Sequence, residues 1–169
     1  TTSDITQKNF YLDNQCNIPT RSIFAVTFTN KAAKEMNARV NKLLTKNKSF
    51  GLTVSTFHNL GLRIIRSEVK TLGFKNGFSI LDQEDCRNLL KELMIRHSDL
   101  DNELLDTLLT TISNWKNSLL EPNQILNSSN SNGEKSIALL YAEYQRSLKA
   151  YNAVDFDDLI MIPVLLFRT

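Results

Sequence analysis

Two stretches in the amino-terminal half share one pattern. IFAVTFTNKAAKEMNARV, residues 23–40, and LTVSTFHNLGLRIIR, residues 52–66, each open on a short apolar, β-branched run, pass through a Thr-Phe pair and a polar cluster, and then take up helical spacing. A buried parallel strand handing over to a helix has this signature. Strands are expected at about 23–28 and 52–56, with helices at about 30–46 and 58–71, the second stopping at Gly73. In the first helix Ala33, Met36, Val40, Leu43 and Leu44 fall on one side and Lys31, Lys34, Lys42 and Lys46 on the other. That is the pattern of a surface helix laid on a sheet, capped by Asn30 or Thr29.

From about residue 74 the periodicity is helical only. LDQEDCRNLLKELMIR offers Asp82 as N-cap with Asp85 three residues on, followed by Cys86, Leu89, Leu90, Leu93 and Met94 at helical spacing. A second helix is expected over about 101–119, with Leu105, Leu108, Ile112, Trp115 and Leu119 on one stripe, ending before Pro122. The Asn- and Ser-rich segment 123–135 reads as a flexible loop with a short turn near 124–127. A further helix follows, lined by Ile137, Leu140, Tyr141, Tyr144 and Leu148, and Pro163 should kink or end the last one. No internal repeat is visible.

Composition adds bounds. With 169 residues and 41% hydrophobic content the chain can bury one core, or one core and part of a second. No apolar run approaches the roughly eighteen residues of a membrane span, and TTSDITQKNF is too polar for a signal peptide. A cytoplasmic protein without a membrane partner is the expectation. Cys16 and Cys86 lack metal-type spacing and read as reduced, structural thiols.

Charge is uneven although the net value is only +2. Residues 1–80 carry 12 Lys or Arg against 4 Asp or Glu, whereas residues 81–169 carry 8 against 14. The basic half holds both Thr-Phe motifs. It suits an anionic backbone, although solvated helix faces carry such charge too.

The chemistry sits at the carboxyl ends of the two expected strands, where open α/β sheets bind ligands. Phe28 stands there with Thr29, Asn30 and Lys31, and Phe57 with Thr56, His58 and Asn59. Rings beside amides, hydroxyls and a cation suit stacked bases and phosphate. Each residue also has a plainer role: Phe28 as a core ring, Asn30 as a helix cap, Lys31 and Lys34 as solvated charges, His58 as a surface or capping residue. A lone His without a second ligand at metal spacing gives no metal site. Asp155, Asp157 and Asp158 have carboxylates that suit magnesium, but their place before an apolar helical run favours an N-cap with first-turn acids. Trp115, on an apolar stripe, reads as a core anchor.

TFTNKAAKEM followed by STFHNLGLRII resembles the second and third motifs of superfamily 1 DNA helicases of the UvrD/Rep/PcrA type. NFYLDNQCNIP, ISNWKN at 112–117 and VDFDDLIMIPVLL at 154–166 continue the likeness in order, reading like the Rep branch. The resemblance implies an α/β fold with a mainly α-helical insertion. Residues 1–70 and 153–169 would be parts of a RecA-like parallel-sheet subdomain, 1A, and 71–152 the all-helical subdomain 1B. It implies Thr27, Phe28, Asn30, Lys31, Thr56, Phe57 and His58 as contacts to single-stranded DNA, with no catalytic residue among them. The parent would use ATP and Mg2+ to move 3′ to 5′ and unwind duplexes, in company with replication or repair proteins. No G-x-x-x-x-G-K-[ST] loop and no DExQ strand occurs in the sequence. An excised fragment binding neither ATP nor Mg2+ is therefore expected. A non-enzymatic helical interaction module is the competing reading.

Overall fold

The computed structural model describes residues 19–43, 52–96 and 102–168. Leu44, Lys46, Cys16, most of NFYLDNQCNIP and the side chain of Leu43 lie outside what is described. The chain divides into two compact units, residues 1–60 and 61–169.

In the first unit a single 3-10 turn at Thr20–Ser22 precedes strand β1 (Phe24–Thr27), helix α1 (Asn30–Leu43) and strand β2 (Thr53–Thr56). β1 and β2 pair in parallel from Phe24 opposite Thr53 to Thr27 opposite Thr56. A parallel pair needs a crossover, and α1 supplies it. Ala25, Met36 and Val40 form the buried cluster, with Leu52 and Val54 packed on it. Ala33, Met36 and Val40 of the expected side are therefore buried, and Lys31, Lys34 and Lys42 are exposed.

Helix α2 (Phe57–Ser67) starts directly on β2 and runs into the second unit. There follow β3 (Ser79–Ile80), α3 (Gln83–Arg96), α4 (Asn102–Asn117), α5 (Pro122–Ser128), α6 (Asn132–Ala150), β4 (Ala153–Val154) and α7 (Asp158–Leu166). Leu89, Leu90 and Leu93 of α3, Leu105, Leu108 and Ile112 of α4, and Tyr141, Tyr144 and Leu148 of α6 make the main core. Trp115 packs against it, its ring 6.1 Å from that of Tyr141. The N-cap of α3 is the expected one: the Asp85 N–H donates to Asp82 Oδ1 at 2.9 Å, and the Asp82 N–H to Asp85 Oδ2 at 3.3 Å.

Three features depart from the pattern. β3 and β4 form a second parallel pair, Ser79 opposite Ala153 and Ile80 opposite Val154, inside the stretch that reads as helices only. The region 123–135 is not a loop: α5 occupies Pro122–Ser128, and α6 begins at Asn132. Its Asn and Ser residues act as caps and turns. Proline is pre-set for a first helical turn, the Glu121 N–H donates to Gln124 Oε1 at 2.8 Å, and Ile125 is buried in the core. Ser131 then caps α6 by accepting from the Glu134 N–H at 3.4 Å. Pro163 lies within α7 rather than at its end.

Candidate nucleic-acid interface

β1 and β2 end side by side, so the residues after Thr27 and Thr56 emerge together. Thr29 Oγ1 accepts from the Ala32 N–H at 3.1 Å and caps α1. Thr56 Oγ1 accepts from the Asn59 N–H at 3.2 Å and caps the first turn of α2. Both hydroxyls satisfy amides that a helix start leaves without partners. Phe28 is 87% exposed and Phe57 is 42% exposed. Their ring centroids stand 5.5 Å apart with the planes at 50°.

The core role for Phe28 therefore does not hold, since a ring this exposed contributes little to burial. Asn30 does not cap α1 through its side chain; its Oδ1 accepts from Asn59 Nδ2 at 3.1 Å, linking the two helix starts. Beside this pair lies an open depression of about 350 Å³ lined by Asn30, Lys34, Asn37, Ser55 and Asn59 among others. Thr27 is half-buried, and Lys31 and His58 are exposed. Thr56 is 5% exposed. Of the seven predicted contacts, the structure brings Thr27, Phe28, Asn30, Lys31, Phe57 and His58 to the surface, and holds the Thr56 side chain beneath it as a cap.

A protein-family model described as the UvrD/REP helicase N-terminal domain matches residues 2–169. The chain belongs to the UvrD/Rep helicase family. It is 46% identical to the ATP-dependent DNA helicase Rep of Escherichia coli strain K12, over 97% of this chain and 24% of that protein. It is 43% identical to Rep of Buchnera aphidicola subsp. Schizaphis graminum, over 99% of this chain and 25% of that protein. To the ATP-dependent DNA helicase PcrA of Leuconostoc citreum it is 37% identical, over 98% of this chain and 22% of that protein. The chain spans about a quarter of the length of these curated relatives.

In this member of the UvrD/Rep family the expected acidic N-cap of α7 is not made: Asp157 stands at that position without a side-chain cap bond, while Asp155 and Asp158 bond to each other and to groups from other elements. The Asp158 N–H donates to Asp155 Oδ1 at 2.9 Å and the Asp155 N–H to Asp158 Oδ2 at 3.3 Å, a reciprocal pair across the turn that leads into α7. Their remaining oxygens hold the ammonium of Lys116, at 2.6 Å from Asp155 Oδ2 and 2.9 Å from Asp158 Oδ1. Tyr144 Oη donates to Asp155 Oδ2 at 3.0 Å. All of this is enclosed: Lys116 is 1%, Asp155 6%, Asp158 2% and Tyr144 2% exposed.

Burial alone would push the Lys116 ammonium down, but attraction from Asp158 and Asp155 carries it above the ordinary lysine value. Burial raises Asp158, with Asp155 adding to the rise and Lys116 opposing it. Burial also pushes the Cys86 thiol up to about 11, so it remains an unreactive thiol. Sequence reasoning missed Lys116. The available signal was its place four residues after Ile112, on the buried side of α4.

The relatives' names describe those proteins as ATP-dependent, and ATP chemistry in helicases uses a phosphate-binding loop and a divalent cation. The sequence contains no phosphate-binding loop of the required form. The carboxylates of Asp155 and Asp158 already have an ammonium between them. Among the described residues no group of three His, Cys, Asp or Glu is arranged to hold a metal. No helix among them is long and apolar enough to cross a membrane.

Proposed function

We propose that this chain is part of the first motor region of an ATP-dependent, 3′-to-5′ DNA helicase, and that its surface at Phe28 and Phe57 binds single-stranded DNA. In this reading residues 1–70 and 153–169 belong to the RecA-like subdomain 1A, and 71–152 form the helical subdomain 1B. The whole protein would act in replication or repair in the cytoplasm. The observation that carries the binding reading is the exposure of two neighbouring aromatic rings at the carboxyl ends of paired parallel strands. Exposed rings find no compensation in a core, whereas bases offer π faces to stack on.

The flanking groups suit the rest of a nucleotide. Asn30 and Asn59 present amide groups, Lys31 and Lys34 bring positive charge, and the first turn of α1 directs N–H groups outward, an arrangement that favours phosphate. None of these contacts reads a particular base, so little sequence preference is expected. Thr27 and His58 border the rings, and Thr56 keeps α2 in place beneath them.

Phe28→Ala should weaken binding of a labelled single-stranded oligonucleotide about tenfold at constant salt, since stacking is worth on the order of 1 to 3 kcal/mol per base and about 1.4 kcal/mol is a factor of ten. Fluorescence anisotropy measures this directly. Unchanged affinity, with helical content intact, would remove the stacking role.

A second expectation concerns hydrolysis. Phosphoryl transfer is mostly positioning and charge stabilisation by a loop lysine and a held magnesium ion, and the sequence contains neither the G-x-x-x-x-G-K-[ST] loop nor the DExQ strand. Purified 169-residue chain should release no phosphate from ATP, with or without DNA. DNA-stimulated release would contradict this.

A further inference from the structure

Helix α2 carries a charge pattern that the two Thr-Phe motifs do not account for. Gly61 and Ile65 are buried on one side, and Val69 continues that side beyond the helix. The opposite side presents Arg63, Arg66 and Lys70, all exposed. Their spacing of three and then four residues places them on one face. The helical bonding continues far enough to include Lys70: the Glu68 N–H donates to the Ile64 carbonyl at 3.0 Å and the Leu72 N–H to the Glu68 carbonyl at 2.9 Å. Asn59 lies one turn before Arg63 on the same face.

No carboxylate among the described residues pairs with these three cations, although ion pairs are formed elsewhere, for instance between Arg39 and Glu35. Glu68, the acid nearest in sequence, falls on another side of the helix and accepts from the Thr71 hydroxyl at 3.1 Å.

We infer that the Arg63, Arg66 and Lys70 face of α2 is a second nucleic-acid contact surface, one that binds the sugar–phosphate backbone and not the bases. The inference rests on the reading that the chain binds single-stranded DNA. Three features select this occupant over an acidic protein segment. The face has no exposed large apolar side chain between residues 59 and 70, and a protein interface draws its affinity from such anchors. It also carries no aromatic ring, the main platform for a stacked base. Two of its three cations are guanidinium groups, whose planar fork matches phosphate oxygens. Along the helix the three charges rise by about 1.5 Å per residue, which sets them within reach of successive phosphates of one strand.

The experiment is a salt titration of oligothymidylate binding by the 169-residue chain, from about 50 to about 200 mM salt. The variant Arg63→Gln/Arg66→Gln/Lys70→Gln should flatten the slope of log affinity against log salt by about 2, because each single-strand phosphate contact contributes about 0.7. Each single Gln variant should take about a third of that change, which keeps the result readable if the triple variant is poorly folded.

Phe28→Ala should lower affinity and leave the slope unchanged. A slope unaltered by the Gln substitutions overturns the inference whatever Phe28→Ala does. A flattened slope together with no effect of Phe28→Ala upholds the basic face and removes the stacking reading instead. Failure of the unsubstituted chain to bind at low salt overturns both. If polyglutamate binds as tightly as DNA and only that binding is lost in the triple variant, the face belongs to a protein partner and the inference falls.

Discussion

Lys116→Met should lower the stability of the helical unit by about 3 to 5 kcal/mol, the usual cost of removing one partner from a buried ion pair. Methionine keeps most of the lysine stem and its packing, so the loss is electrostatic. Two carboxylates, Asp155 and Asp158, would be left in an interior where, among the described residues, only Tyr144 and Gln145 offer them side-chain donors. Urea unfolding followed by circular dichroism measures the change. Adding Asp155→Asn and Asp158→Asn to the Lys116→Met protein should restore much of it, because neutral groups have a smaller desolvation cost than stranded charges.

The effect depends on pH with a definite sign. Lys116 is raised above the ordinary lysine value. Its stabilisation is therefore complete below about 10.5 and is lost only as pH climbs past the raised value. Asp158 is also raised, chiefly by burial. A carboxyl that binds its proton more tightly folded than unfolded favours the fold in acid, and that contribution fades as pH rises through the folded value. Lys116→Met removes the largest of the influences that oppose this rise. The deficit of the variant should thus be largest near neutral pH and shrink as pH falls toward the carboxyl range. A loss under about 1 kcal/mol at neutral pH would mean that water reaches the cluster, since exposed pairs are worth about that much.

Gly61→Ala should be nearly as damaging, at about 3 kcal/mol, by overpacking against backbone that has nowhere to move. A Cβ at position 61 would stand 1.7 Å from the Leu159 carbonyl oxygen and 2.9 Å from its carbon. Pro163 explains why that carbonyl is available. It follows Leu159 by four residues and has no N–H to return to it, so the oxygen faces α2 in place of closing a helical turn. In an exposed helix alanine would be favoured over glycine by about 1 kcal/mol, and here the steric term wins. Gly133→Ala provides the contrast. The nearest atom to its added Cβ is Ser131 Oγ at 3.8 Å, so the change should be neutral or slightly stabilising. Equal thermal midpoints for the two variants would show that α2 and α7 can separate at no cost.

Much of this molecule is visible in local pattern because local forces produce it. A β-branched run followed by 3.6-residue spacing yields β1 with α1, and β2 with α2. The Asp82 and Asp85 box and the Leu105, Leu108 and Ile112 stripe follow from amide satisfaction and apolar burial within a few turns. Both Thr-Phe pairs could be placed at strand ends for the same reason, and the family likeness rests on those same residues.

Other features depend on what lies far along the chain. Whether Phe28 points into a core or into solvent is decided by what packs on the strand end, and in the folded chain its ring is 87% exposed. β3 is two residues long and has no pattern of its own; it becomes a strand because Ala153 and Val154 arrive beside it. Asn and Ser between Pro122 and Ser136 serve equally well as loop residues or as caps, and burial of Ile125 selects the helix.

Lys116 is the clearest case. Lysine is rarely buried unless paired, and its partners lie 39 and 42 residues away. Composition and period place it at a position on α4; only the fold brings Asp155 and Asp158 to it. The sequence by itself therefore determined the family, the longer helices, the first two strands and the candidate binding residues. Tertiary structure decided which of those residues face the solvent and which charges are neutralised inside, because exposure and electrostatic pairing belong to contacts between segments that no local window contains.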